Sequence, residues 1–478
     1  MKKIKLTIPL LALLVSVSTS CKEILEVTPR SQITNQVFWQ SEDDYTAYLN
    51  GVYSSFRTQM NDLSFGEDRS DSFVSGVNSR LSVYWAQVLT PENARDWTSY
   101  YGTIGHINLL LSQIEGFTFA TPATKNRIKA EALALRASMY FYMAKIWGDL
   151  PIMLNPIVDE NVPLTARSPV ADVFKQINSD IDMAISLFPE AGFISKNRLS
   201  KPAVNALKAD VKLWSAKVLA GGEPDFTAAL AAIAEVEKSG VALLPNFRDI
   251  TVRLNNEIIF SLYFNRTETP SMYAFASLPL NTYSAKADNA ADLPLSNDPL
   301  YAQAGYATSP AVKALFAANP TDKRIPATYI DELQGGKVIY TWPNKFRGTK
   351  YSDDRVADDD LIVYRFADIV LLKAEALAAL GRSADALVEL NKIRKRAGIP
   401  DVTVTEKTAL EKAILDERGR ELFDESKRWW DLVRFHKGGT IDVYQVVPNL
   451  KGKTVPLYWP VATRVLSLNN QIKQTQGY

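Results

Sequence analysis

The sequence predicts an all-α protein on three observations: apolar residues recur at helical spacing over most of the chain, two distant stretches follow one paired-helix plan, and long irregular insertions separate them. From Arg127 to Trp147, Ile128, Ala132, Leu135, Met139, Tyr142 and Ile146 fall 4, 3, 4, 3 and 4 residues apart, which is one helix face. Pro122 precedes this helix, and Gly148 and Pro151 end it. Further helices are expected over 170–187, 202–219 and 225–238, the last two joined by Gly221, Gly222, Glu223 and Pro224.

The plan returns near the C-terminus. Val363–Leu380 and Ala384–Ala397 are joined by Gly381, Arg382 and Ser383, and Gly398 with Pro400 stops the second helix. Val363, Phe366, Val370, Ala374 and Leu377 share a face, as do Leu387, Leu390 and Ile393. Helix pairs of about 34 residues resemble tetratricopeptide units. Here they are spread along the chain, so they read as a scaffold joined by insertions, with an N-terminal half over about 21–240 and a C-terminal half over about 257–478. One long helix is expected over Thr408–Phe435.

Composition narrows the chemistry. The chain has 478 residues, 46% hydrophobic and 22% charged, which is globular. Its net charge of +1 gives no field suited to nucleic acid. His106, His436 and Cys21 are the whole His/Cys inventory, so no Cys/His zinc site or disulfide can be assembled. Glu417 and Glu421 are one turn apart on one helix beside Arg418 and Arg420, the pattern of an ion-pair network. A glycosidase needs carboxylates facing each other across a cleft. Trp429 and Trp430 read as core. The aspartates 353, 354, 358, 359 and 360 lack calcium-loop spacing and read as a solvated loop. Gly452-Lys453-Thr454 is no phosphate loop, because Val447 stands where its first glycine belongs. No cofactor, metal site or catalytic residue is expected.

The first twenty residues read as a leader. Lys2, Lys3 and Lys5 precede an apolar stretch from Leu6 to Val17, too short for the ~20 residues a spanning helix needs. Ser18, Thr19 and Ser20 lead into Cys21 in the manner of a lipobox, with Ser18 where an aliphatic residue is usual. Cleavage there leaves Cys21 as the lipidation site, and a multiply acylated cysteine anchors stably.

Several long stretches together resemble the SusD/RagB family. Lys129 to Pro151 (KAEALALRASMYFYMAKIWGDLP), Tyr364 to Pro400 (YRFADIVLLKAEALAALGRSADALVELNKIRKRAGIP) and Ile414 to Leu432 (ILDERGRELFDESKRWWDL) are similar to its scaffold helices. Leu25 to Trp39 resembles its opening and Tyr458 to Tyr478 its ending, with Asn469-Asn470 in place of an Asn-Pro step. The resemblance runs from Cys21 to Tyr478. It implies four tetratricopeptide-like helix pairs with long ligand-binding loops. It also implies an outer-membrane lipoprotein facing outward, and a SusC-like TonB-dependent transporter as partner. Such proteins capture oligosaccharides, or in the RagB manner peptides, without catalysis.

The loops Asn61–Asp96 and Asn265–Pro310 are irregular yet rich in Tyr and Trp, which suits ordered binding loops better than disorder. Trp85 is the expected platform for a glycan, Asp71 and Arg80 the hydroxyl partners, and Tyr283 and Tyr301 further stacking faces, with Trp342 a weaker choice. One stacked sugar face buries on the order of 100 Å², about 2.5 kcal/mol. Two or three must offset ~4–15 kcal/mol of association cost, so micromolar to millimolar affinity is expected. Peptide capture, a helical-barrel glycoside hydrolase and a purely structural tetratricopeptide protein are the rival functions.

Overall fold

Helical pairing organises the chain in the computed structural model, which describes residues 38–78, 81–157, 164–268 and 271–478. The leader, Cys21 and Arg80 lie outside the described residues. The long helices are α1 (Glu42–Met60), α2 (Thr98–Gly116), α3 (Pro122–Trp147), α4 (Val170–Leu187), α5 (Lys201–Val218), α6 (Gly222–Glu237), α7 (Phe366–Ala379), α8 (Ser383–Ala397), α9 (Lys407–Glu421) and α10 (Arg428–Lys437). They pack as four pairs: α1 with α2, α3 with α4, α5 with α6, and α7 with α8. Helix α7 also packs on α6, so the stack continues across the long insertion between them.

Sequence periodicity marked one face of α3, but the helix is buried almost all round, with Ala130, Ala134, Ala137 and Ala144 on its other faces. Those small side chains let α1, α2 and α4 all approach it. Arg136 on this helix takes Asp180 of α4 in a two-point ion pair at 2.7 and 2.8 Å. One contiguous apolar core runs from Trp39 to Ile472.

Short antiparallel strands sit on the helical frame: β1 (Phe73–Ser75) with β3 (Tyr306–Thr308), β2 (Ile258–Leu262) with β8 (Leu361–Arg365), β4 (Tyr329–Gln334) with β5 (Lys337–Pro343), and β6 (Thr349–Lys350) with β7 (Arg355–Val356). Strand β8 takes the first residues of the helix expected from Val363, because pairing with β2 satisfies their backbone groups before α7 begins.

The expected helix over 408–435 is two helices. It breaks between Glu421 and Arg428, where Asp424 (φ 64°) and Ser426 (φ 57°) adopt the left-handed region. The break turns Glu421 and Glu425 onto one arginine. Arg365 donates to Glu421 at 2.6 Å, to Glu425 at 2.8 Å and to Glu257 at 2.7 Å, with every partner buried. Glu421 also pairs with Arg324 at 3.0 Å and with Arg396. Glu417 pairs with Arg324, Arg394 and Arg420 at 2.7–2.9 Å. Burial opposes ionisation of Glu417, but the surrounding arginines win and hold it down at about 2. The two glutamates are thus structural anions, as their spacing suggested.

Removing one member strands the others without water. Arg365→Met should lower the unfolding free energy by about 3–5 kcal/mol in a urea titration. A loss under 1 kcal/mol would show that the network does not hold the fold.

Candidate functional site

The two loops singled out in the sequence form one seam. Strand β1 of the first pairs with β3 of the second, Phe73 opposite Thr308 and Ser75 opposite Tyr306. The seam continues beyond the strands: Gly76 N–H donates to Gly305 O at 2.9 Å and Asn78 N–H to Ala304 O at 3.1 Å. On its other edge, Gln303, Ala304 and Gly305 donate to Phe275, Leu278 and Ala276 at 2.8–3.0 Å. Residue 76 must be glycine for this approach, since a Cβ there would lie 2.3 Å from Ala304 O.

Trp85 stands beside β1. Its Nε1–H donates to Phe73 O at 2.9 Å and its backbone N–H to Ser82 Oγ at 3.1 Å. The C-terminal segment fixes the same turn, with Asn449 donating to Trp85 O at 3.1 Å and Lys453 to Ala86 O at 2.6 Å. Below it, buried Arg69 donates to Gln87 Oε1 at 3.0 Å, Leu457 O at 2.8 Å and Pro456 O at 2.9 Å, with its guanidinium 4.5 Å from the Trp429 ring centre. The ring of Trp85 is half-buried and held before any ligand arrives, which reduces the ordering cost of binding.

Tyr283 lies on the short helix Asn281–Ser284 and is 47% exposed. Tyr301 is half-buried, five residues before β3, with its N–H on Asp298 O at 2.9 Å. Two expectations are corrected. Asp71 is buried, and both carboxylate oxygens accept from Arg428 at 2.7 and 2.8 Å. Burial works against its charge, but the guanidinium prevails and its pKa is lowered, so it is a buried anchor of the loop and not a hydroxyl partner on its surface. Trp342 is fully buried in a small satellite core with Leu293, Ala304 and Ala307. Its Nε1–H donates to Glu332 Oε2 at 2.6 Å, the oxygen that also accepts from Ser284 Oγ at 2.9 Å. It supports the helix of Tyr283 from beneath.

Sequence reasoning missed Val83, Val88 and Leu300, apolar side chains left exposed on these loops, with Leu300 at 70%. An unpatterned apolar residue in a polar loop is the only local signal they carry. It also set Lys453 aside with the failed phosphate-loop motif, although that lysine clamps the Trp85 turn. The acidic run is absorbed locally: Asp353 pairs with Arg266 at 2.6 Å, Asp354 accepts from the backbone of Asn297 and Asp298, and Asp360 faces Arg253 at 3.3 Å. Among the described residues no group of three or more His, Cys, Asp or Glu side chains is arranged to hold a metal ion.

Under the first loop, burial raises Glu67 to about 8, against the opposing hydrogen bond from Ser72 at 2.7 Å. Asp68 is raised to about 6, again by burial. A raised folded pKa gives stability that is complete below the unfolded value and lost as pH climbs through the folded one. Glu67→Gln should therefore widen its melting-temperature advantage over the parent chain between pH 5 and pH 9, and a constant gap refutes the buried proton. Gly76→Ala should cost about 1–3 kcal/mol and speed amide exchange along 72–78, because the seam must open to admit a methyl group. Unchanged exchange there would remove the close approach from the account.

The model of the SusD family matches residues 320–478, and a second, described as starch-binding associating with outer membrane, matches residues 23–213. A SusD-like protein of Formosa agariphila is 27% identical over the full length of both chains. The starch-binding protein SusD of Bacteroides thetaiotaomicron is 29% identical over 33% of this chain and 28% of its own. Among solved structures, NanU of B. fragilis superposes with a TM-score of 0.80 at 25% identity, covering 95% of this chain and 100% of that one.

Proposed function

The chain belongs to the SusD/RagB family, and we propose that it is a non-catalytic receptor for a glycan, tethered to the outer membrane through Cys21 and passing its ligand to a SusC-like TonB-dependent transporter. The observation that carries the reading is the pre-held Trp85 turn on the seam of two aromatic loops, which leaves rings accessible. The names of the relatives support carbohydrate as the ligand class, since one family model and one relative are starch-binding by description. Trp85 is the platform, and Tyr283 and Tyr301 are the accessory stacking faces. Each ring offers a sugar face about 2.5 kcal/mol at ~25 cal/mol/Å², and the neighbouring backbone and amide groups serve the hydroxyls.

The test is affinity electrophoresis of a form starting at Lys22 through gels containing starch, fructan, pectin, xylan, mannan or host glycans. Retardation by one polysaccharide is expected. Trp85→Ala should abolish it and Tyr283→Ala weaken it by about tenfold, with no sugar ends released. Passage through every gel unretarded would sink the glycan reading and favour the peptide capture of RagB-like relatives.

A further inference from the structure

A cleft of about 760 Å³ opens where the C-terminal end of α3, the end of α10 and the last stretch of chain meet. No residue of the two aromatic loops lines it, and its volume is that of a small-ligand site. The other three cavities described measure about 300, 240 and 60 Å³.

The walls of this cleft are fixed. Arg167 donates to Asp149 O at 2.8 Å, Trp147 O at 2.6 Å and Lys473 O at 3.0 Å, tying the chain end to the end of α3. Trp459 N–H donates to Ile146 O at 2.8 Å. Gly148, at φ 74°, gives the Tyr458 ring room to lie against the backbone, since a Cβ there would stand 3.3 Å from the ring. The aromatic side chain thereby becomes part of the cleft wall.

Its charge is uneven. Lys145, Lys437 and Lys473 line it together with Arg167, whose donors are spent on the wall, and Asp149 is the one carboxylate in the lining. Asp149 Oδ1 already accepts from Val170 N at 2.7 Å. Among the described residues Lys437 and Lys473 form no ion pair. Lys145 contributes its stem to the wall: its ammonium lies 4.4 Å from the Phe141 ring centre and 5.0 Å from that of Trp430, in the small neighbouring cavity that Asp210 also lines, and burial lowers its pKa to about 8 against the pull of Asp210. Lys437 and Lys473 are exposed at the cleft, and an anion bound there would meet their uncompensated positive charge. Gln476, exposed on the rim, has no amide partner among the described residues.

We infer that this cleft is a second ligand site, separate from the loop seam, that takes a small carboxylate-bearing saccharide. The Lys437 and Lys473 ammonium groups meet the carboxylate, the Tyr458 ring meets the sugar face, and the rim amide meets hydroxyls. The inference does not depend on the loop site, because the two share no residue.

Calorimetric titration of the chain from Lys22 with digalacturonate, with its neutral counterpart galactobiose and with inorganic phosphate tests it. Digalacturonate should bind at least about tenfold tighter than galactobiose. The double variant Lys437→Gln, Lys473→Gln should weaken it by about tenfold, with an unchanged melting temperature because both side chains are exposed. Trp85→Ala should leave digalacturonate binding intact, whatever it does to neutral glycans. Four results overturn the inference: no digalacturonate binding, equal affinity for the neutral sugar, indifference to the double variant, or loss with Trp85→Ala. Binding of phosphate alone would mark an adventitious ion only and equally overturn it.

Discussion

Arg365 at the end of β8 is the group around which the C-terminal half is arranged. Its guanidinium is fully buried and takes Glu257 ahead of β2, Glu421 at the end of α9 and Glu425 in the break that follows. Ions removed from water are tolerable only when all of them dock together. The consequence is geometric. Helix α9 must stop where Glu421 reaches Arg365, the chain must reverse through Asp424 and Ser426, and α10 must start with Arg428 aimed at Asp71.

That last pair carries the constraint from scaffold to loop. Asp71 and Arg428 are 357 positions apart, and their contact fixes the base of the first aromatic loop against α10. Arg69, two residues earlier, binds the same loop to the carbonyls of Pro456 and Leu457. Asp71, expected from the sequence as a ligand contact, is therefore spent on holding the loop in place. The division would suit the proposed receptor: costly buried ion pairs fix position, and half-exposed aromatic faces are left to offer a ligand modest contact energy.

The acid–base landscape follows from the same arrangement. Carboxylates ringed by several arginines, such as Glu417, sit far below their usual range despite burial. Those buried with only hydroxyl or backbone partners, such as Glu67, are raised. Burial is common to both, and its balance against the charges and hydrogen bonds in reach decides the sign: Glu131 is raised although Arg198 pairs with it at 2.9 Å.

The sequence by itself determined the helical class, the pairings of α5 with α6 and of α7 with α8, the structural role of Glu417 and Glu421, and the family. Those signals are local: periodicity, short connections and long motifs are written within about 40 residues. Asp71 and Trp342 show where such reasoning stops. An aspartate and a tryptophan in irregular segments look alike whether they face solvent or a partner hundreds of positions away. Only the tertiary structure decided that Arg428 claims Asp71, that Glu332 claims Trp342, and that Gly76 lets two distant loops close on each other. Exposure belongs to the whole packed chain, because neighbours remote in sequence remove each side chain from water or leave it there.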